Sequence, residues 1–496
     1  MHAMKKHLFI LYIGVISLLT TYNNTKCEDD ILVSQQEFIT LMHEQENDLI
    51  YLNSATEEEL MLLRRVNPKK KVTIVIYMAA DNDLHPFAWK NIKQMEAIGS
   101  NENINIIVQL NTPGYHNPTK RYLIKNGRRL LIPAADGSAP TQKLNSGSPQ
   151  TLIDCVAWAM KYFPADDLVI NLWDHGSGVY DPDTIRIVKA VDLFKFNENT
   201  NMLDLDRTIG YTSRIDESEE EEEEESRQNG RGICFDETFK SFMSNQGLKF
   251  ALSEIQNKVL NGKKIGIVWC DACLMAMLEI ADICKDHVEY LVASQEVEYA
   301  AGSNYELVLK PFINNALTPR EFACHIVDCF GKAYQNITRD YTQSAICLSG
   351  VAQLETNVNA IAGLILNAFQ DQKNKSITKL LQQCKTPSYC TCFEEPTYID
   401  LRHFYTNLQA NLDKISLNNP QSEAVLRLSL YKLLEQGISI INNIVIANRV
   451  GSNLQKACGI SIYFPERGIF NSYPKCNFAQ TNNWGSMIAQ YLVYKK

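Results

Sequence analysis

A cysteine nucleophile needs a base to take its proton and donors to hold the oxyanion that forms on its substrate. Two stretches of the sequence offer those parts. Leu168-Val-Ile-Asn-Leu-Trp173 is an apolar run that stops at Asp174-His-Gly-Ser-Gly178, and Ile265-Gly-Ile-Val-Trp-Cys270 stops at Asp271-Ala-Cys273. Both runs read as buried strands, and in open α/β sheets sites gather at the carboxyl ends of strands. His175 is thus a candidate base and Cys273 a candidate nucleophile. The backbone N–H groups of Gly176 and Cys273 are candidates for an oxyanion hole, and Asp271 for pairing with a cationic side chain of the substrate. Leu274, Met277, Ile280, Ala281 and Cys284 recur at helical spacing. They predict a helix directly after Cys273, whose N-terminus would favour the thiolate.

Blander readings use the same residues. His175 can cap the turn after its strand, and Asp271 can N-cap the helix that follows. Cys270-Asp-Ala-Cys273 is also a C-x-x-C pattern of the kind used in thiol-disulfide exchange. A third alternative is a protein that binds peptides in the same cleft without cleaving them.

The elements that must position these residues form a βαβ series. Val72–Met78 reads as a strand, Pro86–Ile98 as a helix and Asn105–Leu110 as a second strand, which implies a parallel sheet. Asn126-Gly127 marks a hairpin turn between Arg121–Ile124 and Arg129–Ile132. Helices over 151–163 and 248–260 lead into the histidine and cysteine strands, and Tyr290–Ser294 is a further strand. From 311 to 496 the pattern is mainly helical, with helices near 319–334, 351–370, 402–413 and 420–445 and short strands near 343–348 and 459–464. The domain reading is a segment 1–27, a helical spacer or pro-segment 28–70, an α/β catalytic domain 71–310 and a C-terminal, mainly helical domain 311–496.

The 496 residues carry a formal net charge of −9, with 45% hydrophobic and 21% charged residues. Asp216, Glu217 and Glu219 through Glu225 form one acidic run, so the rest of the chain is balanced. No basic patch argues for nucleic acid. Like charges at that density repel, and residues 181–231 read as a disordered insertion between the two site strands. It offers Arg214, Arg227 and Arg231 to a protease. Lys5-Lys6 followed by the apolar span Leu8–Leu19 reads as an export signal, with an uncleaved N-terminal anchor as the alternative and no other membrane contact. Several of the 14 cysteines, Cys155, Cys270, Cys284, Cys324 and Cys347, fall in apolar patterns, where a free buried thiol is expected. Cys384, Cys390 and Cys392 cluster in a polar loop, where a disulfide is expected.

Taken together, the motifs resemble those of the clostripain-type cysteine peptidases (family C11, clan CD), which share the caspase-like fold with caspases, gingipains and legumain. The resemblance lies in Tyr77-Met-Ala-Ala-Asp-Asn-Asp-Leu84, Leu172-Trp-Asp-His-Gly-Ser-Gly178, Gly232-Ile-Cys-Phe-Asp236, Asp271-Ala-Cys-Leu-Met275 and Gly459-Ile-Ser-Ile-Tyr-Phe-Pro465. It implies a caspase-like αβα sandwich with a mostly parallel sheet, and matches His175 and Cys273 to the catalytic dyad of an endopeptidase. It also implies cleavage after arginine or lysine through an acid-lined pocket, with Asp271 as one acid and Glu296 or Glu298 as the second. Activation by internal cleavage, at Arg214, Arg227 or Arg231, is a further implication. No metal or cofactor is required by such a dyad, and calcium is expected only as an activator. The partners implied are peptides or proteins with a basic residue before the scissile bond.

Overall fold

A computed structural model of the chain describes residues 63, 65–132, 140–181, 194–197, 202–205, 232–371 and 375–495. Its strands in chain order are β1 (Lys70–Ala79), β2 (Ile104–Asn111), β3 (Lys120–Lys125), β4 (Arg128–Leu131), β5 (Ala165–Trp173), β6 (Phe194–Asn197) and β7 (Met202–Leu205). There follow β8 (Ile233–Asp236), β9 (Ser241–Met243), β10 (Ile265–Asp271), β11 (Val288–Ala293), β12 (Thr342–Cys347), β13 (Tyr398–Asp400), β14 (Val445–Val450) and β15 (Ser461–Tyr463). Among the described residues nine strands form one sheet in the order β14-β12-β11-β10-β5-β1-β2-β3-β4. The central strands β11, β10, β5, β1 and β2 are parallel, and antiparallel strands extend both flanks.

Burial on both faces explains why the central strands read as unbroken apolar runs. Along β1, Ile74, Ile76 and Met78 share one core with Trp89 and Ile92 of helix His85–Glu96. Val75, Tyr77 and Ala79 point the other way, into a core with Leu152 and Val156 of helix Pro149–Tyr162. The side-chain period of two thus builds an αβα sandwich, as expected. Helix His85–Glu96 has no side-chain N-cap and no acid in its first turn. A cap supplies about 1 kcal/mol, whereas burying each large apolar side chain supplies roughly 1.5–3 kcal/mol. Packing of Phe87, Trp89, Ile92 and Met95 therefore holds this helix.

Two strands from beyond residue 310, β12 and β14, belong to the main sheet. The helices of that part among the described residues lie at 319–334, 351–368, 375–385, 401–410, 420–444, 477–481 and 484–495. The hairpin of β6 and β7 lies inside the segment that reads as disordered; residues 182–193, 198–201 and 206–231 of that insertion, with Arg214, Arg227 and Arg231, lie outside the described residues. So does the N-terminal segment read as an export signal. Among the described residues, no helix is long and apolar enough to cross a membrane.

Candidate active site

β5 and β10 are neighbours in register, with Leu172 opposite Cys270 and Trp173 opposite Asp271. Their carboxyl ends therefore leave the sheet side by side, and Asp174 N donates to Asp271 O at 3.3 Å. The next loop positions are in direct contact. A Cβ built on Gly176 would stand 2.3 Å from Cys273 O and 3.1 Å from Cys273 N. Glycine is required there because any side chain would wedge the histidine loop off the cysteine loop, and the contact brings both expected oxyanion donors into one small patch.

The helix expected directly after Cys273 begins only at Leu278. Residues 274–277 instead run beside the end of β11: Leu274 N donates to Glu296 O at 3.2 Å and Ala276 N to Ser294 O at 2.8 Å. Leu274 turns the chain into this path at a left-handed φ of 63°, a conformation a leucine holds only where its surroundings impose it. The thiol gains no helix dipole. A peptide group lies against it instead: Glu298 N donates to Cys273 Sγ at 3.2 Å.

His175 is anchored from the opposite side. Its Nε2 lies 2.8 Å from Oδ1 of Asp83, whose side chain is 2% exposed. Asp83 follows the end of β1, the strand next to β5, so three adjacent strands deliver cysteine, histidine and carboxylate. Asp83 stands within the motif Tyr77–Leu84, where local sequence assigns it no role. The available signal was the polar Asp81-Asn-Asp83 at the carboxyl end of a buried strand, but its pairing with His175 depends on strand order.

Beside the thiol are two buried acids, Asp271 and Glu298. Asp271 is 5% exposed. It accepts from Ser303 N and Ser303 Oγ, both at 3.0 Å, and from the Tyr305 hydroxyl at 2.7 Å. Gly302, at φ +58°, lets the turn close over it, since a Cβ there would stand 2.9 Å from both carboxylate oxygens. Burial raises the pKa of Asp271, against the hydrogen bonds of Tyr305, Glu298 and Ser303. Glu298 is raised well above the ordinary range, first by burial and then by the Asp271 charge. Burial and their mutual repulsion thus oppose ionising both carboxyls at once. Of the two glutamates named from sequence, Glu298 is the one beside Asp271. The Glu296 carboxylate is turned away, with Oε1 accepting from Val297 N at 2.8 Å and Glu394 N at 3.0 Å.

A short strap crosses the histidine side. β8 lies against the ends of β1 and β5, where Phe235 N donates to Asp174 Oδ2. Asn82 Nδ2 donates to Asp174 Oδ1 at 2.7 Å and lies 3.3 Å from Phe235 O. Asp236 accepts from Asn111 Nδ2 and Ser146 N, both at 2.9 Å. Burial and the neighbouring Asp81 push Asp236 up to about 7. The residues flanking His175 and Asp83 are therefore tied to one strap, whose motif Gly232–Asp236 is visible in the sequence although its contacts are not.

Cys270, the other half of the C-x-x-C pattern, is fully buried in β10, and burial pushes its thiol far up. Cys270 and Cys273 are both free thiols. Cys384, Cys390 and Cys392 are also free, contrary to the disulfide expected there. Their sulfurs face different groups: Cys390 Sγ lies 3.8 Å from Asp400 O and Cys392 Sγ 3.6 Å from Lys385 O. Among the described residues, no group of three or more His, Cys, Asp or Glu side chains could hold a metal ion.

The clostripain family profile matches residues 76–209 and 219–489. No curated protein matches the chain. Solved structures share the fold. A secreted C11 cysteine protease from Bacteroides thetaiotaomicron, in complex with an irreversible peptide inhibitor, is 17% identical, with 84% of this chain and 99% of that chain covered at a TM-score of 0.50. An inactive zymogen C11 protease from Parabacteroides distasonis is 16% identical, with 85% and 99% covered and a TM-score of 0.52. A secreted C11 cysteine protease from Bacteroides thetaiotaomicron called iotapain is 14% identical, with 85% and 100% covered and a TM-score of 0.54.

Proposed function

Because the chain belongs to the clostripain family of cysteine peptidases, we propose that it is an exported endopeptidase cleaving after arginine or lysine, with Cys273 as nucleophile and His175 as general base and acid. The observation that carries this reading is the packing of the His175–Gly176 loop onto Cys273, with the buried Asp271–Glu298 pair beside the thiol.

In this mechanism Asp83 holds His175 through Nε2, and Nδ1 exchanges protons with the thiol. Cys273 Sγ attacks the peptide carbonyl carbon and its proton passes to His175. The oxyanion is held by the N–H groups of Gly176 and Cys273. The C–N bond then breaks, the amine leaves with the proton from His175, and water hydrolyses the thioester to regenerate the thiol. The residue before the scissile bond places its cation against Asp271 and Glu298. The reading extends to activation by a cut between 181 and 232, for which Arg214, Arg227 and Arg231 suit the enzyme's own specificity. Export follows from the charged and apolar N-terminus, and calcium keeps the role of activator rather than reactant.

The test is hydrolysis of matched fluorogenic peptides ending in Arg, Lys or Asp by wild type and Cys273→Ala, with and without calcium, followed by mass spectrometry of the chains. Cleavage after Arg or Lys, lost in the variant together with the internal cut, is the expected result. Hydrolysis that persists in Cys273→Ala, or that favours Asp, would sink the reading.

A further inference from the structure

Among the described residues most large apolar side chains are buried, and exposed ones need no explanation when they stand singly. Tyr115 and Phe239 differ from that pattern. They are 68% and 39% exposed, and their rings meet edge to face with centroids 6.0 Å apart. They come from separate loops that are pinned together. The Tyr115 hydroxyl donates to Thr238 O at 2.6 Å and Gly114 N to Thr238 Oγ1 at 3.2 Å. Thr238 Oγ1 in turn donates to Asp81 Oδ1 at 3.0 Å, and Glu237 N to Asp81 O at 2.9 Å. Asp81 is two residues from Asp83, the carboxylate that holds His175. The aromatic pair is therefore a fixed feature of the same sheet edge that carries the active site.

Strand order says which part of a substrate would pass over it. The acid pocket lies on the β11 side of Cys273, while His175, Asp83 and the Tyr115 loop follow in turn on β5, β1 and after β2. The histidine must protonate the departing amine, so the peptide beyond the scissile bond runs from β10 toward β2. Three strand spacings are roughly 14 Å, the reach of about four extended residues. An aromatic surface held rigid next to a site provides contact area without an ordering cost.

We infer that Tyr115 and Phe239 form a subsite for an aromatic or large apolar residue on the leaving-group side of the scissile bond, three to four residues beyond it (an estimate from strand spacing). The inference rests on the peptidase reading above. It is tested with two kinds of substrate sharing one sequence up to the arginine: an arylamide with no residues beyond it, and internally quenched peptides with Phe or Ser at each following position. For wild type, kcat/KM should rise roughly tenfold when Phe occupies the third or fourth position. Tyr115→Ala and Phe239→Ala should each reduce that gain, and the double variant should abolish it, with arylamide hydrolysis unchanged. Tyr115→Phe, which keeps the ring, should retain most of it. A wild type that cleaves the arylamide but shows no preference for Phe at any position, or a double variant that keeps the preference, overturns the inference alone. A wild type that leaves the arylamide uncut overturns the peptidase reading itself.

Discussion

Glu298 links Cys273 to Asp271, because its amide donates to Cys273 Sγ while its carboxyl lies beside Asp271. With Glu298 raised well above the ordinary carboxylate range, the proposed binding of a cationic substrate beside it would favour its ionised form. Binding is then linked to pH: KM for an arginine substrate should fall as pH rises through the Glu298 transition and level off above it. In Glu298→Gln that dependence should flatten and KM rise roughly tenfold, about 1.4 kcal/mol, with kcat nearly kept; a KM profile identical to wild type would remove Glu298 from the pocket. Asp83→Ala leaves His175 without its Nε2 anchor, and kcat should drop about 100-fold or more with KM little changed. Gly176→Ala forces a Cβ to 2.3 Å from Cys273 O. It should abolish turnover while circular dichroism stays native. These roles were partly legible: His175, Cys273 and Asp271 stand at the ends of apolar runs, a local pattern. Asp83 and the choice of Glu298 over Glu296 were not, because each depends on which loop lies opposite.

At the scale of elements, the strap Ile233–Asp236 is bonded to the residues beside His175 and Asp83 and not to the pocket acids. Asp174→Ala would strand Phe235 N and the Asn82 amide in a buried site, at a cost of about 1–3 kcal/mol. Urea unfolding should show that loss, and kcat should fall while KM for arginine substrates changes little. An equal rise in KM would mean that the strap supports the pocket instead. Sequence periodicity located most helices and strands, since each depends on its own apolar spacing. It misjudged the segment after Cys273, where helical spacing at Leu274 and Met277 serves an extended path because the amides of Leu274 and Ala276 find acceptors on the chain after β11.

For the whole molecule, the insertion separates two halves of the chain that meet in the middle of one sheet, β5 from the first beside β10 from the second. A cut between residues 181 and 232 should therefore leave the two pieces as one particle. Size-exclusion chromatography should give a single peak that separates only in denaturant; two peaks under native conditions would contradict the shared core. The sequence by itself determined the parallel α/β sandwich, the strand ends bearing His175 and Cys273, and the acid at Asp271, because apolar period and turn chemistry are properties of neighbouring residues. Only the tertiary structure decided that Asp83 holds the histidine, that Glu298 completes the acid pair, that the cysteine sits ahead of its helix and that Tyr115 meets Phe239. Those are contacts between segments far apart in the chain, and they exist only once strand order and packing bring the segments together.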